Sequence, residues 1–357
     1  MALTAPTAQY PGSLNVFIRD HAASGKLVVD FARNIKDFAV NQYAQIIPVK
    51  KLAGLYLQMT VEEAGRLISS TLENFVWEDG QPAPEGNDGT ESMAWLPFTC
   101  IRRAFPVLLG DLTVEQADWD ILAQHSSIKA RQAMTARTQL AVNALTSTNN
   151  YAATHMLDVT STATSGGVPG NSGNWAESTS ARQDIKRSLN TAAEIILKDT
   201  LNGIKLDDLI VVMNPTLARE IAECQEIVDY LKHSPDALAQ VRGELPGKNV
   251  MFGLPDKLYG YPVVVEATAK VTTRKGATTS RSWIMPTATP CMVARPGGLV
   301  GVASAPNFST LVVWAQEEMT VETLKDVNNR RVMARVVDTT GASVVAPASG
   351  VMFTAAG

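Results

Sequence analysis

The sequence predicts an α+β chain whose elements are built to pair and pack. Three observations carry this. A long Ala-rich helical pattern runs over 114–147, with Ala130, Ala133, Met134, Arg137, Ala141, Ala144 and Leu145 on one stripe. The apolar run Leu209-Ile210-Val211-Val212-Met213 sits between two helical patterns as a buried strand. The last third alternates as strands do, with Val332, Ala334 and Val336 against Arg331, Met333 and Arg335.

From the start, residues 1–12 are rich in Pro, Thr and Ala and read as a flexible beginning. Phe31, Ile35 and Phe38 recur at helical spacing, which predicts a short amphipathic helix near 28–40. With Phe17, Phe31 offers an apolar face that has little partner surface nearby in the chain, as an arm lying on another subunit would. Residues 46–60 read as extended, and Thr60-Val61-Glu62-Glu63 fits a capping box. Residues 77–92 hold Glu78, Asp79, Glu85 and Asp88 with two prolines and no lysine or arginine. Phe75-Val76-Trp77 and Trp95 to Ile101 flank them, so a long hairpin with an acidic tip is predicted. That tip reads either as a clamp on another protein, with Trp77, Trp95 and Phe98 as anchors, or as an ordinary loop. Arg102 and Arg103 are candidate acceptors of a neighbour's acidic groups, or solvated.

The helical stripe at 114–147 is narrow and small-sided, which suits a helix lying across a sheet. Residues 146–183 are rich in Thr, Ser, Gly and Asn and read as loop. A second helix is expected over 184–201, closed by Asn202-Gly203. After the apolar strand, Asn214 is placed to cap a third helix with Pro215 at its first position. Leu258-Tyr259-Gly260-Tyr261-Pro262-Val263 is a tight turn feeding a buried strand. Glu318, Thr320 and Glu322 alternate upstream of Asn329–Val337; if those strands pair, an acidic face meets a basic one, and Glu322 with Arg331 is the pair to test. Arg330, Arg331 and Arg335 read as inter-subunit pairs, as DNA contacts, or as intrachain partners of Glu318 and Glu322.

Charged residues make up 18%, against about 25% for an ordinary soluble domain. The net charge of −4 argues against a tight nucleic-acid reader. No apolar run approaches a membrane span, and no secretory signal pattern opens the chain. Cys100, Cys224 and Cys291 are far apart and read as reduced thiols. His21, His125, His155 and His233 lack metal-ligand spacing, and no Ser–His–Asp order stands out. Gly297-Gly298 is a turn with no helix after it to hold a phosphate. No catalytic residue, cofactor or metal site is expected.

The order of these parts resembles the major capsid proteins of tailed bacteriophages, the Hong Kong 97-type (HK97) fold. The resemblance rests on the arm, the long hairpin, the Ala-rich helix, the Ile210-Val211-Val212-Met213-Asn214-Pro215 unit, the Tyr259-Gly260-Tyr261-Pro262-Val263-Val264 turn and the closing Ala346-Pro347 with Gly350-Val351-Met352-Phe353. It implies an N-terminal arm (1–45), an extended E-loop with adjoining peripheral segment (46–112), a spine helix (113–150), an axial A-domain (151–310), peripheral P-domain strands (311–340) and a C-terminal strand returning to the A-domain (341–357). It implies a shell protein that assembles as a homo-oligomer of pentamers and hexamers into an icosahedral head in the host cytoplasm. The expected partners are a portal protein, separate scaffolding and decoration proteins, and double-stranded DNA held by weak non-specific contact. Residues 71–100 contain no lysine, so the isopeptide cross-link of one branch of that group is not carried over, and no charged helical pre-sequence is seen. An encapsulin-type compartment holding enzyme cargo and a soluble α/β enzyme are the competing readings.

Overall fold

The computed structural model describes residues 38–59, 79–81, 93–117, 120–163, 166–232, 252–274, 276–296, 309–326 and 328–357. One helical turn, α1 (Val40–Tyr43), runs straight into β1 (Ala44–Pro48) as Ala44 turns extended. Two strands, β2 (Ala53–Met59) and β3 (Met93–Thr99), pair antiparallel from Ala53↔Thr99 to Met59↔Met93. The strand that carries Trp95 is therefore partnered by the 53–59 segment. Phe75–Trp77, expected as its partner, lies outside the described residues, as do residues 28–37 of the helix expected near 28–40 and the residues 60–63 expected as a capping box.

After β4 (Ile101–Gly110), the expected single helix over 114–147 is two: α2 (Asp111–Gln116) and α3 (Ile121–Leu145). Ala117 turns extended to end α2, and the Asp120 carboxylate accepts from Ala123 N at 2.9 Å to start α3 afresh. The polar stretch that follows holds two 3₁₀ turns and β5 (Met156–Asp158) before α4 (Asp184–Asp199). Leu201 and Asn202 take left-handed backbone there, and Asn202 N reaches Leu197 O at 2.7 Å, closing α4 as its sequence predicts. β6 (Leu209–Met213) is buried at every residue. Asn214 accepts from Thr216 N at 2.6 Å and Pro215 opens α5 (Pro215–Glu223), followed by α6 (Gln225–Lys232). The tight turn at Tyr259-Gly260, with φ of 51° and 99°, joins β7 (Lys257–Leu258) to β8 (Tyr261–Val265). A short ribbon, β9 (Ala269–Val271) with β10 (Arg281–Trp283), precedes β11 (Cys291–Ala294). Leu311–Trp314 and Glu317–Glu322 belong to one strand, β12 (Leu311–Asp326), which pairs with β13 (Arg331–Val344); β14 (Gly350–Thr354) ends the chain.

Two larger sheets organise these parts. The central one has order β5-β14-β11-β6-β8-β7 and is covered on both faces. Side chains alternate across it. Leu209, Val211, Met213, Met292, Val351 and Phe353 face a core made with α4, α5 and Trp175. Ile210, Val212, Cys291, Val293 and Met352 face a second core made with Tyr43, the end of α3 and the first residues of β12. The peripheral sheet has order β1-β12-β13-β4. α3 crosses it, and Ala130 and Ala133 are small enough to bring the helix down on Val321, Val336 and Phe105. A buried ion pair fixes the crossing: Arg137 Nη2 lies 2.5 Å from Asp338 Oδ1, and Thr340 donates to the other carboxylate oxygen at 3.1 Å.

Candidate subunit interface

The β2–β3 hairpin has one face turned inward. Phe98 stacks on Trp314 at 4.5 Å, and Tyr56 tilts against the same ring at 5.6 Å. Trp314 is held in turn by an indole N–H donated to Ser343 Oγ at 2.6 Å. Glycine is required at two points. A Cβ at Gly54 would lie 2.8 Å from the Phe98 ring, and one at Gly341 would lie 2.0 Å from the Thr99 carbonyl, where the hairpin's base crosses β13. The hairpin is thus anchored at its root on the chain's own β12 and β13.

Its other face is apolar and open. Leu55 and Leu57 lie opposite Pro97 and Trp95, so the four form a cross-strand patch. Leu55 is 60% exposed, Leu57 40% and Trp95 61%. Scattered exposed leucines are ordinary, but a paired patch that includes a tryptophan is the composition of a contact surface. A second open row crosses the peripheral sheet on the face away from α3. Leu108, Met333 and Leu324 sit in register on β4, β13 and β12, with both leucines exposed. The row lines a shallow groove with Lys325, Asp326, Asn328 and Arg331.

The charged candidates fall around these patches. Asp326 lies opposite Arg331, 2.9 Å away, and Glu322 lies opposite Arg335 and accepts from its Nε. The acidic-to-basic match of the two strands therefore exists, but Glu322 meets Arg335 where Arg331 was expected. The turn sets the difference: Asp326↔Arg331 is its closing pair, and from there the register runs unbroken to Thr320↔Val337, which places Arg335 opposite Glu322. Arg102 reaches across β13 to Glu317 at 3.1 Å, and Arg103 donates to the Thr340 carbonyl at 2.9 Å. Arg330 sits exposed in the β12–β13 turn with left-handed backbone, its carbonyl accepting from Asp111 N at 2.9 Å. Asn329 first, and then Arg331, hold the Asp326 carboxyl below its usual range. Asp79 is exposed in a turn with Gly80. Phe17, Phe31, Trp77, Glu78, Glu85, Asp88 and the Glu318 side chain lie outside the described residues. Sequence reasoning singled out Trp95 and passed over Leu55, Leu57, Leu108 and Leu324, whose places opposite one another come only from the strand register.

The other polar clusters serve packing. His155 is buried between the Gly350 carbonyl and the Asp199 carboxylate, each 2.8 Å from a ring nitrogen. Buried Glu226 accepts from the Ile185 and Lys186 N–H groups at the start of α4 and from Ser178 and Tyr259. Burial raises the Cys291 thiol well above its ordinary range. Among the described residues no group of three His, Cys, Asp or Glu is placed to hold a metal ion, and no helix is long and apolar enough to cross a membrane.

No family model matches the sequence, and no curated protein matches it. Solved structures do match over nearly the whole chain. A phage-related protein from Bordetella bronchiseptica RB50 shares 14% identity at a TM-score of 0.57, covering 91% of this chain and 94% of its own. The capsid of cyanophage P-SCSP1u aligns at 12% identity and a TM-score of 0.56, over 92% of this chain and 90% of that one. The mature capsid of bacteriophage PhiM1 aligns at 13% and 0.53, with the same coverages. At such identities the likeness speaks for architecture alone: the chain has the HK97-type fold.

Proposed function

We propose that this chain is a major capsid protein that self-assembles into pentamers and hexamers of an icosahedral phage head enclosing double-stranded DNA. The observation that carries the reading is the apolar patch of Leu55, Leu57, Trp95 and Pro97 on a hairpin rooted on the chain's own Trp314. Such a surface is stabilised by burial against another copy, and the HK97-type fold is one in which solved relatives form capsids. In this reading residues 1–45 are an arm, 46–112 an E-loop with its peripheral segment, 113–150 the spine, 151–310 the axial domain, 311–340 peripheral strands and 341–357 a returning strand. Phe17, Phe31, Trp77, Glu78, Asp79, Glu85, Asp88, Trp95, Arg102, Arg103, Glu318, Glu322, Arg330, Arg331 and Arg335 supply contacts between subunits. Arg331, Arg335 and Arg102 do so while also paired within their own sheet, as members of charge networks at the rim of the apolar patches. The protein acts by assembling and catalyses no reaction. It is made in the host cytoplasm, ends in the virion, and works with a portal and with separate scaffolding and decoration proteins.

Expression of the full chain, alone and with the products of neighbouring genes, followed by electron microscopy, tests this. Closed particles of uniform size that carry nucleic acid are expected. A stable monomer at high concentration would refute the shell reading, and particles filled with an enzyme would refute the phage-head reading.

A further inference from the structure

The β9–β10 ribbon stands apart from the rest of the chain in its charge. Residues 267–316 contain no aspartate or glutamate, and Lys270, Arg274, Lys275, Arg281 and Arg295 give them a formal +5 against −9 for the remainder, which together make the −4 of the whole. The ribbon is a two-stranded sheet that, among the described residues, pairs with no other strand. Lys270 lies opposite Ser282, and its ammonium donates to Gln139 Oε1 of α3 at 2.7 Å, which steadies the ribbon on the spine. Val271 lies opposite Arg281 and Ala269 opposite Trp283, so a cation, an exposed indole and an exposed valine share the ribbon's other face. Arg274 and Arg281 are exposed, and among the described residues neither has an acidic partner.

The tip decides what such a ribbon fits. Thr272 to Ser280 holds four threonines, a serine, Arg274 and Lys275, and no large apolar side chain. Thr272 N to Ser280 O at 3.0 Å closes its base, and Gly276, at a φ of 93°, gives the bend. A protein contact at the tip would be built round an apolar anchor and would be poor in lysine; the exposed Trp283 and Val271 lie on the strands below the tip, on the face they share with Arg281. Hydroxyls interleaved with cations are the groups that contact phosphate and sugar oxygens, and a two-stranded ribbon has the width to enter a duplex groove. We infer that the β9–β10 ribbon binds the phosphodiester backbone of double-stranded DNA without reading its sequence. This deepens the proposed function, on which it rests for the identity of the polyanion. An acidic body with one basic finger would hold DNA locally and release it readily as salt rises.

The test is fluorescence anisotropy of a short labelled duplex titrated with the full chain in its unassembled form. Four neutralised phosphates predict a log–log salt slope of about −3.6, and a loss of about 10²-fold in affinity between 50 and 200 mM salt. The variant R274S/K275S/R281S should flatten the slope by about 2.7, while still assembling as the parent chain does. Arg274→Gln alone, at an exposed position, should flatten it by about 0.9 and guards against a folding defect in the triple variant. An unchanged slope in a folded variant overturns the inference. So does a triple variant that stops assembling while binding DNA as before, which would make the ribbon a subunit contact. Competition by poly-glutamate as effective, charge for charge, as duplex DNA would also overturn it, in favour of an acidic protein segment. Because binding is read on unassembled chain, a failure to form particles would count against the shell reading and leave this measurement standing.

Discussion

Replacing Trp95 with serine separates contact between subunits from stability within one. A tryptophan side chain buries on the order of 200 Å², and Trp95 is 61% exposed in the free chain. About 120 Å² of apolar area is therefore available to a neighbour, about 3 kcal/mol at ~25 cal/mol/Å². Leu55 and Leu57, 60% and 40% exposed, offer about 1–2 and about 0.6–1 kcal/mol in the same terms. Ordering and orientation costs of association reduce the total, so the substitution is the quantity to trust. Trp95→Ser should weaken each contact about 10²-fold and raise the threshold concentration for particle formation, followed by light scattering, by a similar factor. The unfolding free energy of the unassembled subunit should move by no more than about 1 kcal/mol, because among the described residues Trp95 lies on the hairpin's open face with Leu57 as its cross-strand neighbour. Normal assembly by the variant, or a free subunit destabilised by several kcal/mol, would refute the reasoning.

The buried pair under α3 makes the opposite prediction. Arg137→Ala leaves the Asp338 carboxylate, 3% exposed, with Thr340 as its remaining partner, and should cost about 3–5 kcal/mol in denaturant unfolding of the free subunit. The double variant R137M/D338L should recover most of that loss. Gly341→Ala drives a methyl into the Thr99 carbonyl and should destabilise the hairpin root, read as faster hydrogen exchange at the Cys100 N–H, which donates to the Leu52 carbonyl at 2.6 Å. Burial pushes the Cys291 thiol up, so at pH 8 its alkylation should follow the rate of unfolding; rapid labelling of the native subunit would contradict its placement. The Asp326 carboxyl is depressed by Asn329 and Arg331. The order it gives the β12–β13 turn is therefore present above the ordinary carboxylate range and lost as pH falls through its lowered value, which an NMR titration of Asn329 would follow.

Much of the architecture is written in local chemistry. The unbroken apolar run of β6 with Asn214 and Pro215 behind it gave strand, cap and helix in order, and the Ala stripe of α3 gave the face that meets the sheet. Where reading failed, a competing local or long-range term decided. Asp120 restarts the helix that periodicity alone would run through. The sixteen residues of β12 run as one strand through an irregularity around Glu317 where alternation breaks, and the turn closed by Asp326 and Arg331, which alternation does not locate, sets which arginine Glu322 meets. The contact face was the least legible part. Leu55, Leu57, Leu108 and Leu324 have the spacing of core residues, and alternation says that one face is apolar without saying whether the cover comes from the same chain. The inward face of the hairpin is aromatic too, and only the position of Trp314 tells the two faces apart.

A density map of particles assembled from the full chain, at a resolution that shows side chains, bears most directly on the central claim. It should show Leu55, Leu57 and Trp95 buried against a second copy, with Tyr56 and Phe98 still on their own Trp314. A particle in which that face is open to solvent, or is covered by the subunit it belongs to, would contradict the account.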